Sequence, residues 1–375
     1  MTLPRRALLQ VTTSPRLSTI LIVLCSALAS PAYAFKLQIL GPAEKEPPAA
    51  DRQTRGFLQQ FRSDIHEQIT HRAYERAGVE LPDEVIAGVR WNDSPPAIRA
   101  GQLFGACGGG KMRESLGCLT GMFRVDRIAL EALTMREKSL APIRSHFGDM
   151  QFLHAMAAHS GEASEETLRN IMRWSEFAYR IARGEIAPDA KLSALQETKV
   201  LDEDTSRWLG TLFRGPTEKH WTVQDMFLAR RERIRLIAFG SLMHLVEDSY
   251  SASHVRRKSG RVQANGCLSY DAADPIEQFQ TYVGQDTEKH GVCDNAPDWL
   301  ETPRPGSPIE VIAEIVRAYD AGQDWPVVRA ILEEKVFPLA SPVLPAQPGA
   351  CFEPQFPDAS ASAGAAPVVA IKCER

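Results

Sequence analysis

The apolar positions of the chain recur mostly at intervals of three and four, the spacing of one face of a helix. This pattern predicts a helix from Phe57 to about Gly78 and a short one over Pro82–Trp91, stopped by Asn92-Asp-Ser-Pro-Pro96. Further helices are expected at about 122–139, 147–160 and 164–184, the last with Leu168, Ile171, Trp174, Ala178 and Ile181 along one stripe. A long helix is predicted from Val223 to about Ser251, its apolar positions including Met226, Phe227, Ile234, Ile237, Leu242, Leu245 and Val246. Two more are expected at 307–321 and 325–337. Alternation of the strand type is scarce, no strand–helix–strand rhythm appears, and no internal repeat is evident. The expected fold is therefore all-α.

The ends of the chain read differently. Arg5, Arg6 and Arg16 precede the apolar run Leu21–Leu28, and Ala32-Tyr-Ala34 follows as a small-x-small cleavage signal. Residues 1–34 thus read as a secretory signal peptide, and the mature protein is expected to be exported, periplasmic or secreted. Leu24 stands before Cys25 where a lipoprotein signal has a small residue. Residues 35–56 form a linker, Pro- and acid-rich over 41–51, ahead of a helical domain at 57–338. The tail 339–375, rich in Pro, Ala and Ser, is expected to be loop or disorder.

Charge narrows the partners. Removing residues 1–34 takes away three Arg and no acid, leaving 40 basic against 47 acidic residues, net −7. A strongly basic chain would point to nucleic acid through phosphate contacts, and this one does not, although bound metal ions would add local positive charge. Six cysteines remain: Cys107, Cys118, Cys267, Cys293, Cys351 and Cys373. In an exported chain an even number suggests disulfides, and six allow fifteen pairings. Nearest-neighbour pairing (107–118, 267–293, 351–373) is the expectation. The string GACGGGK at 105–111 lacks a Ser or Thr after Lys111 and a preceding strand, so it is no phosphate-binding loop.

The sharpest chemical signal is His244-Leu-Val-Glu-Asp248-Ser-Tyr-Ser-Ala-Ser-His254. Residues four apart share a helical face, so His244 and Asp248 can bind one metal together. His254, six beyond Asp248, is out of phase with one straight helix and would come from a bent or terminating last turn. Four further segments carry ligand-type residues. They are Asp64-Ile-His66 to Thr70-His71, Arg90-Trp91-Asn-Asp93, Ser145-His146 to His154, and His290-Gly-Val-Cys-Asp294. His71 and His154 stand as alternatives to His66 and His146. The bland reading of any one such histidine is a hydrogen-bonded core or surface residue, and His159 and His220 are read that way. Arg256 and Arg257, close behind His254, are candidates for phosphate contact or simply a solvated face.

Taken together, these five segments resemble the zinc phospholipase C / S1–P1 nuclease family. The order of motifs matches, and so does the spacing of four then six at His244, Asp248 and His254. The resemblance covers residues 60–300 as islands. It implies a multi-helix bundle with up to three zinc ions clustered in a cleft. Asp93, His146, His244 and Asp248 would hold one Zn2+; His254, His290 and Asp294 a second; His66 a third, with Asp248 bridging. Asp93 would also serve as general base. The implied activity is phosphodiester hydrolysis by a phospholipase C acting on phosphatidylcholine-type lipids, through transient contact with a membrane surface, and as a monomer. A single-strand nuclease or nucleotidase of the same fold, taking nucleic acid, is the alternative, and a non-catalytic helical exported protein is a third. The chain departs from the family in having no Trp before Trp91, where the family's mature N-terminal Trp serves the third zinc. Its gaps from Asp93 to His146 and from His254 to His290 are also longer.

Overall fold

The computed structural model describes residues 65–93, 144–145, 148–213, 221–227, 229–262, 267–270, 274–282 and 304–349, together with 284–285, 290, 293 and 300. The described chain is mostly helical, with a few short strands. Helix α1 is Ile65–Ala77 and α2 is Asp83–Val89. After a 3-10 turn at Gln151–His154 come α3 (Ser164–Arg183), α4 (Leu195–Thr198), α5 (Glu203–Leu212), α6 (Val223–Phe227) and α7 (Ile234–Asp248). Strands β1 (Val255–Arg257), β2 (Arg261–Val262), β3 (Leu268–Ser269) and β4 (Ile276–Phe279) follow, and then α8 (Pro308–Asp320) and α9 (Trp325–Ile331).

Helix α7 is the axis of the fold. From Ile237 to Asp248 every residue is buried. A helix that is apolar nearly all round belongs in a core rather than on a surface. It packs against α2, α3 and the 3-10 turn, and α1 lies against α8. The crossing of α2 and α7 is unusually close. A Cβ on Gly88 would lie 2.1 Å from the Ile237 carbonyl oxygen, and one on Gly240 would lie 2.1 Å from that of Val85. Two bare backbones in contact bring the end of α2, and the turn after it, down onto the middle of α7.

The helices at 82–91, 164–184 and 307–321 appear within two or three residues of expectation. Other elements differ. The stretch 147–160 is one 3-10 turn rather than a helix, because Ala155 takes a left-handed conformation (φ 52°) and the chain leaves the helical path. The helix expected over 223–251 is broken: α6 ends at Phe227, and a 3-10 turn at Arg231–Arg233 precedes α7. Helices α4 and α5 were not expected at all. Two small antiparallel sheets, β1 with β4 and β2 with β3, stand where only helix and loop were expected.

The start of the tail is also ordered. Residues 339–349 form an extended strap along β4: Ala340 donates to Ile276, Leu344 to Glu277, and the Thr281 amide to the Gln347 carbonyl. On its other edge Ala346 and Gly161 bind, with Ala346 donating to Glu162 and Gly161 donating to Ala346. Among the described residues, no helix is long and apolar enough to cross a membrane. Residues 1–64, the expected helix at 122–139, Cys107, Cys118, Cys351 and Cys373 lie outside the described residues, as do Trp299, His146, His220 and Asp294.

Candidate metal centre

The carboxyl end of α7 carries His244, Glu247 and Asp248, all fully buried. Three other segments converge on it. Asn92 sits in the turn after α2. Its side-chain amide donates to the carbonyls of Leu153 (2.8 Å) and Ser241 (3.1 Å), and it accepts from the Ser241 hydroxyl at 2.6 Å. Trp174 of α3 donates its indole N–H to the same hydroxyl at 3.1 Å. This closed polar network ties the turn bearing Asp93 and the 3-10 turn bearing His154 to α7, one helical turn ahead of His244.

The result is a tight group of donor atoms. Asp248 Oδ2 lies 2.8 Å from His154 Nδ1 and 2.9 Å from His244 Nε2. The two nitrogens are 3.2 Å apart. Asp93 Oδ1 is 3.8 Å from each of them. A tetrahedral zinc site with bonds of about 2.0–2.1 Å has ligand atoms about 3.3 Å apart along its edges. Two imidazole nitrogens 3.2 Å apart, each 2.8–3.8 Å from an oxygen of Asp248 and one of Asp93, fit such an ion in chemistry and size.

The centre extends to two poles. At the first, His66 of α1 stacks on His244, with ring centroids 4.0 Å apart. Its Nε2 faces Asp248 Oδ1 at 3.4 Å, while its Nδ1 meets Glu247 Oε2 at 2.6 Å. Thr70, one turn on from His66, donates to the other Glu247 oxygen at 2.6 Å. Burial drives the His66 imidazole well below its usual pKa and the Glu247 carboxyl well above its own, although Thr70 pulls the latter down. Both groups thus favour their neutral forms unless a cation is near. His66, His244 and Glu247 lie close enough to form a ligand triad, as do Asp93, His154 and His244. We favour the second as the metal-binding set. Both Glu247 oxygens are taken up by His66 and Thr70, the arrangement of a carboxylate that orients a histidine ligand from behind.

At the second pole α7 ends at Asp248, and successive turns bring the chain back. Ser251 N donates to Asp248, and His254 N to Ser251. These turns return His254 to the centre, 3.8 Å from Asp248 Oδ2. Its Nδ1 donates to the His154 carbonyl, and its Nε2 faces His290 Nε2 at 3.3 Å. Burial, followed by the nearby His290, holds the His254 imidazole well below its usual range. The disulfide Cys267–Cys293, with Cα atoms 5.2 Å apart, pins the segment next to His290 against Ala252. This is one of the three expected bridges.

Of the expected site residues, His66, Asp93, His244, Asp248, His254 and His290 come together, whereas His146 and Asp294 lie outside the described residues. The alternative His154 occupies the centre, while His71 is exposed on the far side of α1. Glu247 was missed. Its place three residues after His244 in an otherwise apolar helix was the available signal. Arg256 and Arg257 are not free for phosphate. Arg257 is buried over the Tyr250 ring and donates to the Ser249, Asp274 and Val336 carbonyls. Arg256 pairs with Glu277 at 3.2 Å.

No protein-family profile matches the chain, and neither a curated protein nor a solved structure matches it.

Proposed function

We propose that the protein is an exported, zinc-dependent phosphodiester hydrolase of the phospholipase C / S1–P1 nuclease type, with its helices bundled around the zinc cluster. The observation that carries this reading is the convergence of His66, Asp93, His154, His244, Asp248, His254 and His290, from segments far apart in sequence, around the buried end of one helix. Asp93, His154, His244 and Asp248 would hold one ion. His254 and His290 belong to a second, and His66 with Asp248 to a third. Glu247 stands behind His66 and takes up its Nδ1. The disulfide Cys267–Cys293 supports an oxidising compartment and hence export.

Zinc in such a cluster supplies a Lewis acid and a water whose pKa falls to about 7. The chain's own residues do the rest. By the resemblance, Asp93, buried at the edge of the group, would act as general base as well as ligand. Asp248 presents one oxygen to His66 and the other to His154 and His244, so a single side chain spans two sites. Burial keeps His66 and His254 neutral and ready to act as ligands.

The substrate we favour is a zwitterionic phospholipid of the phosphatidylcholine type, since a net charge of −7 disfavours a polyanion. Among the described residues, Trp91, Trp174 and Trp325 are buried, and Trp208 and Trp221 are half-buried in packing, so these rings offer no open platform for bases. The exposed large hydrophobics there, Val262, Val327 and Leu344, are scattered in sequence. The test is zinc per chain on the purified mature protein, with phosphatidylcholine micelles and single-stranded DNA assayed side by side and His244→Ala as control. Two or three zinc ions, with chelator-sensitive lipid cleavage lost in the variant, are expected. DNA cleavage would move the protein to the nuclease branch. Protein that binds no zinc would sink the metallohydrolase reading and leave only a helical fold.

A further inference from the structure

The His254/His290 pair is held by groups that are not ligand candidates, and these groups form an ordered chain. Gln280 donates its side-chain amide to the Ala252 carbonyl at 2.9 Å, which points its oxygen the other way. That oxygen accepts from the Gln285 amide at 3.2 Å, and the same NH2 group donates to the Ser253 carbonyl at 2.8 Å. Both Gln285 donors are thereby used, so its oxygen faces His290 Nδ1, with which it forms a short hydrogen bond. An amide oxygen only accepts, so His290 carries its proton on Nδ1. Its Nε2 then presents a lone pair to His254 Nε2, whose own proton goes to the His154 carbonyl. Two lone pairs facing at 3.3 Å repel unless something positive lies against them.

We propose that Gln280 and Gln285 are a two-amide relay that locks the His290 tautomer for metal binding, and that the C-terminal strap seats this relay. The strap enters through Gly349, whose φ is +80°. A Cβ there would lie 2.0 Å from the Gln280 side-chain oxygen. Gln347 pairs alongside, as its carbonyl accepts from the Thr281 amide. The strap therefore closes over Gln280 and leaves its amide one orientation. The three Gln285 contacts are buried, and both glutamines are too, with Gln280 3% and Gln285 1% exposed. Gln280 and Gln285 act here as positioning residues, and the inference rests on the metal-centre reading above.

Nitrogen NMR of histidine-labelled, metal-free protein reads the tautomer directly, and zinc–chelator competition reads the affinity of each site. In the wild type the His290 proton is expected on Nδ1. Gln285→Leu should weaken one class of zinc site by about 10–100-fold, the usual effect of losing an outer hydrogen-bond partner, and leave the other class unchanged. Gln280→Leu and Gly349→Ala should free the Gln285 amide to flip and give a mixture of His290 tautomers, which a purely structural role would not do. A wild-type His290 protonated on Nε2, or a Gln285→Leu protein that binds every zinc as tightly as the wild type, would overturn the relay. If Gln285→Leu fails to fold, Gln280→Leu and the wild-type tautomer decide the matter. A wild-type protein that binds no zinc sinks the functional proposal instead, and the tautomer result remains separately readable.

Discussion

The two poles of the centre fix their histidines by different means. His66 is backed by Glu247, an acid on the same rigid helix that supplies His244 and Asp248, with a hydroxyl from the next turn of α1 completing the carboxylate. His290 is backed by Gln285, a neutral amide on a loop, oriented by a second amide, flanked by a disulfide and closed by the strap. One pole adds charge on a stiff support, and the other adds direction on a braced one. A charged partner raises the basicity of the histidine it backs, whereas a neutral one mainly selects its tautomer. The two poles should therefore respond differently to pH, to reduction and to substitution.

The largest effect is expected where the poles meet. Asp248→Asn should abolish stoichiometric zinc binding and reduce activity by more than a hundredfold, beyond the 10–100-fold typical of an outer partner, because Asp248 touches His66, His154 and His244 at once. Metal analysis with the lipid assay checks this, and retention of full zinc would break the shared-ligand picture. Glu247→Gln keeps the shape of the first pole and an acceptor for His66, turns the Thr70 contact round so that the hydroxyl accepts, and removes the charge. It should weaken one zinc about tenfold while leaving the His290 tautomer unchanged.

Opening the second pole should be milder. Replacing Cys267 and Cys293 by Ser should cost about 3 kcal/mol, as expected for a bridge closing a loop of this size. In denaturant titrations that loss should be accompanied by a weaker zinc at the second pole only.

The smallest effect is one of pH. Burial raises Glu247, so its contribution to metal-free stability is present below its ordinary pKa and is lost as pH rises through the raised one. His66 and His254 are lowered, so theirs is present above about 6.5 and is lost as pH falls through the lowered values. In chelator, Glu247→Gln should therefore gain on the wild type as pH rises from about 5 to 8, by a few degrees in Tm at most. A constant difference across that range would mean Glu247 is not held neutral by burial.

These comparisons also mark what the sequence could show. His244 and Asp248 were legible because both lie on one helix, where spacing fixes direction. Helix α3 was legible because its stripe runs for five turns and ends at a left-handed Gly184. That His154 joins the centre was not, because it lies in one short turn whose backbone is set by tertiary hydrogen bonds from Asn92. Glu247 was hidden beside Asp248, since which of two adjacent acids meets α1 depends on where α1 packs. The relay was beyond reach for the same reason: Gln280, Gln285 and Gly349 meet across as many as 69 residues, with no periodic pattern between them. The strands escaped notice because β1 and β4 carry Arg, Glu and Gln in place of an alternating apolar face.

The polar network above His244 has an optical consequence. Trp174 donates to Ser241 and lies 5.6 Å from Trp91, the two rings nearly parallel at 10°. Two indoles so placed couple electronically and give a paired band in near- and far-ultraviolet circular dichroism. Trp91 stands two residues before Asp93, and Ser241 one turn before His244. The assembly of the centre, and any loosening of it, can thus be followed in the native protein by light alone, with no label and no substrate.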